Sequence, residues 1–121
     1  MARVLLAEDD PSMREMVQRA LAADGHTVVA AQDGQEALDL ISAAGAQFDV
    51  MLTDIQMPSV DGIELAGKAA ALMPKLRIVL MSAFADQIAI PDAVKPQIAK
   101  VLSKPLALDQ VRAAVKGAMA G

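Results

Sequence analysis

Short, unbroken apolar runs alternate along this chain with stretches of helical periodicity. Val4-Leu5-Leu6-Ala7, Val50-Met51-Leu52-Thr53, Ile78-Val79-Leu80-Met81 and Val101-Leu102-Ser103 are runs of strand length. Continuous apolar runs of this kind mark strands buried on both faces. The pattern predicts strands at 3–8, 26–31, 49–54, 77–82 and 100–103. Pro11 and Ser12 open a helix, with the proline near the first turn, where a missing N–H costs nothing. Met13, Val17, Ala20 and Leu21 form its apolar stripe, and Asp24-Gly25 ends it. Asp33-Gly34 is a turn and N-cap for a helix lined by Ala37, Leu38 and Ile41 that stops near Gly45. A third helix is expected from about Gly62 to Leu72, just before Pro74. A last one covers about Leu108 to Met119, with Leu108, Val111, Val115 and Met119 on one face. Alternation of this kind predicts an α/β fold, a parallel sheet covered on both faces.

The stretch from Ala83 to Ala99 breaks the alternation. A helix is expected there, but Pro91 and Pro96 interrupt it, and an interior proline costs a helix about 3 kcal/mol. The expectation is a fourth helix that is short, irregular or disordered.

Four of the five strand ends carry chemistry. Glu8-Asp9-Asp10 follows the first run, Asp54 the third, Ser82 the fourth, and Lys104 with Pro105 the fifth. In a parallel sheet, residues at the carboxyl ends of the strands converge in one crevice. That crevice would hold several carboxylates, a hydroxyl and an ammonium, a set suited to a divalent cation and a phosphoryl group. Magnesium takes oxygen ligands and keeps several waters, so Glu8, Asp9 and Asp54 could hold it directly or through water. An ionised Asp54 is a nucleophile toward a phosphorylated donor. The cation and Lys104 would neutralise charge on the transferring oxygens, and Ser82 could donate a hydrogen bond to them.

Composition narrows the picture. The 121 residues fit one domain. There are no cysteines, which excludes disulfides and thiol chemistry and is compatible with a reducing cytosol. The hydrophobic share is 55%, yet no apolar run approaches the ~18 residues that cross a membrane. Net charge is -4 and the eleven basic residues are scattered, so no basic face for nucleic acid emerges. Phe48 and Phe84 are the only aromatics, too few for a stacking platform. The eight methionines read as core filler, and the single histidine, His26, as a surface residue opening a strand.

Taken together, "LLAEDD", "MLTDIQMPSVDG", "VLMSAF" and "LSKP" resemble the receiver domains of two-component response regulators, the CheY-like superfamily. The resemblance covers essentially the whole chain. It implies a flavodoxin-like (βα)5 doubly wound sandwich with a five-stranded parallel sheet in the order 2-1-3-4-5. It implies Asp54 as the phosphorylated aspartate, with Ser82 and Lys104 as the responding catalytic groups. Mg2+ would be held by Glu8, Asp9, Asp54 and the Gln56 backbone carbonyl, leaving Asp10 outside the acidic pair. Gln56 and Phe84, each two residues past a site residue, are expected to tune phosphate lifetime. The family carries an aromatic three residues before its lysine; Val101 stands there, so that switch is missing or moved.

The implied partner is a histidine kinase or histidine phosphotransferase, and the implied place is the cytoplasm. The last helix reaches within two residues of the C-terminus, so the expectation is a single 1–121 stand-alone receiver with no output domain. Monomer or weak dimer is expected, with no membrane or direct nucleic-acid contact. "MARVLLAEDDPSMR", "LTDIQMPSVDGIELA" and "AKVLSKPL" further resemble cell-cycle receivers that prime the ClpXP protease when unphosphorylated. That resemblance implies the ClpX N-terminal domain as a partner. Two rivals stand beside it. One is a receiver belonging to, or paired with, a DNA-binding regulator. The other is a phosphohydrolase of the haloacid dehalogenase type, disfavoured because that family has a second aspartate where Gln56 stands.

Overall fold

In the computed structural model, which describes residues 1–120, five parallel strands form one sheet. They are β1 (Arg3–Ala7), β2 (Thr27–Ala31), β3 (Val50–Asp54), β4 (Arg77–Ser82) and β5 (Ile98–Ser103), in the order β2-β1-β3-β4-β5. Four helices connect or follow them: α1 (Pro11–Ala23), α2 (Gly34–Ser42), α3 (Gly62–Leu72) and α4 (Leu108–Ala120). This is the doubly wound architecture and strand order that the resemblance implies.

Side-chain alternation along the strands splits the core in two. Leu5, Ala7, Met51, Ile78 and Leu80 face α2 and α3, packing with Ile41, Leu65 and Ala69. Val4, Leu6, Val50, Leu52, Val79 and Met81 face α1 and α4, packing with Val17, Leu21, Val111 and Val115. β3 is buried at every position, which is why its sequence shows no polar alternation.

Three helices start on the same device. Asp10, Asp33 and Asp61 are N-caps, and their carboxylates accept N–H groups of Ser12 and Met13, of Glu36, and of Glu64. Such caps satisfy donors that a helix start leaves unpaired. Asp10 is thereby committed to α1. Gly62 begins α3 so close to β3 that a Cβ there would collide with the Asp54 carbonyl oxygen. Its own N–H bonds the Ile55 carbonyl at 2.8 Å.

Several boundaries depart from the sequence expectation. β1 ends at Ala7, one residue early, although the Glu8 N–H still reaches the Ala31 carbonyl. β5 begins at Ile98, because a register irregularity at Ile78/Val79 lets it pair earlier. α2 ends at Ser42, ahead of a turn closed between Ala43 and Ala46. His26 is not a simple surface residue: it is partly buried, and its Nδ1 accepts the Ala2 N–H at 3.1 Å.

The 83–99 stretch contains no α-helix. Two 3-10 turns, Ala85–Gln87 and Lys95–Gln97, punctuate an ordered strap. Ile88, Ile90, Val94 and Ile98 pack on the α2/α3 side of the core. The strap is tied down by Gln97, whose amide donates to the Met73 and Leu76 carbonyls. Arg77 donates to the Pro96 carbonyl from the base of β4.

Candidate functional site

Because every strand runs the same way, the ends of β1, β3, β4 and β5 meet at one edge of the sheet. Lys104 lies just beyond β5, and its N–H bonds the Ser82 carbonyl at 2.8 Å. Its side chain reaches across the end of β4. Nζ donates to Asp54 Oδ2 at 2.9 Å and to Glu8 Oε1 at 3.0 Å. One ammonium therefore bridges carboxylates contributed by β3 and by the end of β1.

Burial separates the acidic residues sharply. Glu8 is completely buried and Asp54 nearly so, at 3% exposure, while Asp9 lies in solvent. Glu8 is held by more than Lys104: the Asp10 N–H donates to its Oε2 at 3.2 Å, and Arg14 donates to its backbone carbonyl at 2.9 Å. Burial pushes the Glu8 carboxyl up to about 7, against the opposing pull of the Asp10 N–H and the Lys104 ammonium. Burial works in the other direction on Lys104. The hydrogen bonds to Asp54 and Glu8 outweigh it and hold the ammonium above its ordinary value.

Asp54 Oδ1 is buried and has no hydrogen-bond partner. An orphaned buried acceptor is costly, and on a carboxylate it marks a place for a cation or a donor to arrive. Glu8, Asp9 and Asp54 each offer an oxygen within 4.8 Å of the others. An all-oxygen set with one oxygen unpartnered and one carboxylate open to solvent fits Mg2+, which retains waters in its shell.

Ser82 is fully buried. Its hydroxyl donates to Gln56 Oε1 at 3.0 Å and accepts the Phe84 N–H at 2.9 Å. Phe84 itself is 54% exposed. Val101 is half-buried and packs against the α2/α3 side of the core, an aliphatic side chain with no polar tip. The fold thus brings Glu8, Asp9, Asp54 and Lys104 together, with Ser82 and Gln56 joined beside them. Asp10 is left out as a helix cap. Arg14 escaped the sequence reading as a support for Glu8, although its place one turn into α1 was a usable signal.

A parallel five-stranded sheet with this acidic edge and bridging lysine defines a class. Residues 4–116 match the response regulator receiver domain, and the chain belongs to that family. It is similar to the response regulator receiver protein CpdR of Brucella abortus, 43% identical over 108 residues, covering 89% of this chain and 88% of that protein. It is 31% identical over 115 residues to the sensor kinase CckA of the same organism, covering 95% of this chain but 12% of the kinase. The chain spans about half the length of other curated relatives such as MprA, 48% in the case of Mycolicibacterium vanbaalenii. Among solved structures, response regulator TrrA of Thermotoga maritima, in complex with Mg2+–BeF, superposes with a TM-score of 0.81 at 27% identity. That match covers 98% of this chain and 99% of that one. No helix among the described residues is long and apolar enough to cross a membrane.

Proposed function

We propose that this receiver accepts a phosphoryl group on Asp54 from a phosphohistidine donor, with Mg2+ bound by Glu8, Asp9, Asp54 and the Gln56 backbone carbonyl. One observation carries the reading: a buried carboxylate with one oxygen clamped by an ammonium and the other oxygen unpartnered. A bound Mg2+ would offset negative charge on the transferring oxygens. An Asp54 oxygen forms the new P–O bond as the donor's P–N bond breaks, and the departing imidazole nitrogen keeps the bond pair. Lys104 neutralises charge at the acceptor carboxylate, and Ser82 supplies a donor once its hydroxyl turns toward the new oxygens. Gln56 and Phe84 bound the approach of water and so set how long the phosphoryl group stays. The chemistry is self-catalysed transfer and autodephosphorylation, without turnover of an external substrate. Phosphorylation adds about 1.5 to 2 negative charges beside Lys104 and Glu8. Incubation with a phosphorylated histidine kinase or phosphotransferase and Mg2+ should add one phosphoryl group by intact mass, and Asp54→Asn should abolish the gain. Labelling of that variant at the same rate would remove the reading.

The similarity to CpdR supports a finer proposal. The chain acts in the cytoplasm as a receiver, monomeric or weakly dimeric. In the unphosphorylated form it contacts the N-terminal domain of ClpX and regulates ClpXP proteolysis in the cell cycle. A histidine kinase or phosphotransferase switches that contact off. Immobilised ClpX N-terminal domain should retain wild type and Asp54→Ala but release the phosphorylated protein. Equal retention of both states would sink this output.

A further inference from the structure

A serine hydroxyl has one proton to donate. In Ser82 that proton goes to Gln56 Oε1 at 3.0 Å, while the oxygen accepts the Phe84 N–H at 2.9 Å. Ser82 lies one residue beyond Met81, which pairs with Asp54 on the neighbouring strand. Asp54 Oδ1 nevertheless has no donor. A hydroxyl that gives its only proton to Gln56 cannot give it to an oxygen carried on Asp54 at the same time. The amide and the phosphoryl group therefore compete for one donor.

We propose that the Gln56 side chain is a positioning residue that latches the Ser82 hydroxyl away from the acceptor carboxylate, and that opening this latch passes the phosphorylation signal to Phe84 through its backbone N–H. The proposal rests on the phosphoacceptor reading of Asp54. Val101 has no side-chain polar atom with which to follow the hydroxyl, and it packs half-buried against the core. Phe84 is differently placed. Its carbonyl closes the first 3-10 turn by accepting the Gln87 N–H at 2.9 Å, and its ring stands 54% exposed at the head of the strap. When the Ser82 side chain swings about its Cα–Cβ bond to bring the hydroxyl to a phosphoryl oxygen, Phe84 loses the acceptor that fixes it, and the surface beginning at 84 is freed to rearrange.

The test uses the full chain and beryllofluoride with Mg2+ as the phosphoryl analogue. Binding is measured by calorimetry for wild type, Gln56→Met, Ser82→Ala and the double variant. Gln56→Met removes the competitor and should tighten binding on the order of three- to tenfold, the worth of one neutral hydrogen bond. In the Ser82→Ala background the same substitution should change nothing. Gln56→Asn, one methylene shorter but still an amide, should behave like Gln56→Met, which guards against a packing artefact of the thioether. Amide exchange at Phe84 should quicken when wild type binds the analogue. An unchanged or weaker Gln56→Met, an equal effect with and without the Ser82 hydroxyl, or an unaltered Phe84 amide would overturn the latch. If wild type and Asp54→Asn alike fail to bind the analogue, the phosphoacceptor reading itself has failed. Wild-type binding with an inert Gln56→Met sinks only the latch.

Discussion

Two crossovers leave the centre of the sheet side by side, and they are built in opposite ways. After β3, the chain makes a short loop and enters α3, an alanine-rich helix capped by Asp61 and pressed by Gly62 onto the Asp54 carbonyl. After β4, the next strand along the chain, no α-helix forms. Ile88, Ile90 and Val94 cover the core from an irregular strap held by side-chain to backbone hydrogen bonds. The first crossover fixes Asp54 through packed backbone. The second leaves the Ser82 hydroxyl bonded only to Gln56 and to the Phe84 N–H. A helix satisfies its own backbone, whereas a strap depends on a few individual bonds. The first crossover therefore holds Asp54 against self-satisfied helix backbone, and the strap meets Ser82 through individual bonds.

The largest effect expected is at the point where the two sides join. Lys104→Met strips the cation from two buried carboxylates. It should cost about 2 to 4 kcal/mol of unfolding free energy in urea at pH 8 without Mg2+. Added Mg2+ should restore part of that loss. A cost below the scatter of the titration would show that the ammonium does not hold the acidic edge together. Next, Gly62→Ala forces a Cβ into the Asp54 carbonyl and should cost about 1 to 3 kcal/mol. Gly67→Ala, in the same helix with open space around it, should instead stabilise by about 0.5 to 1 kcal/mol. Similar values for the two glycines would contradict the packed-backbone account of the first crossover.

In the strap, Gln97→Ala removes both bonds to the Met73 and Leu76 carbonyls. A loss of about 1 to 2 kcal/mol is expected, with amide exchange quickening over 88–97 and remaining unchanged over α3. Uniform quickening across both crossovers would mean that they open as one unit. The mildest signal is a pH slope. Burial raises the Glu8 carboxyl to about 7 from an ordinary 4.5. The folded chain then keeps a proton that the unfolded chain gives up. This contribution to stability is complete below about pH 4.5 and is lost as pH rises through about 7. In EDTA, the melting temperature of wild type should drift downward across that window, and Glu8→Gln should flatten the drift. A parallel slope in the variant would place its origin elsewhere.

Much of this was legible in the order of residues. Continuous apolar runs marked the buried strands, and the polar residues that ended them marked the crevice. Pro91 and Pro96 foretold that no regular helix would form there, though not that the stretch would be an ordered strap. The capping role of Asp10 was harder to read, because a third acidic residue after a strand suits a cap and a metal equally well. Two features were not legible: the complete burial of Glu8 beside an exposed Asp9, and the pairing of Gln56 with Ser82. Adjacent residues on a chain end can point to opposite environments, and only the packed neighbours decide which does. The same holds for His26, whose partner Ala2 is distant in sequence.

By itself, the sequence determined the alternation of strands and helices, the family, and which residues stand at the strand ends. Local periodicity and short-range sterics suffice for those. The tertiary structure alone decided how these residues are wired: Lys104 to Asp54 and Glu8 across three strands, and Ser82 to Gln56 and Phe84. Hydrogen-bond partners are chosen by distance in space, and the sheet order brings together residues that no local pattern connects.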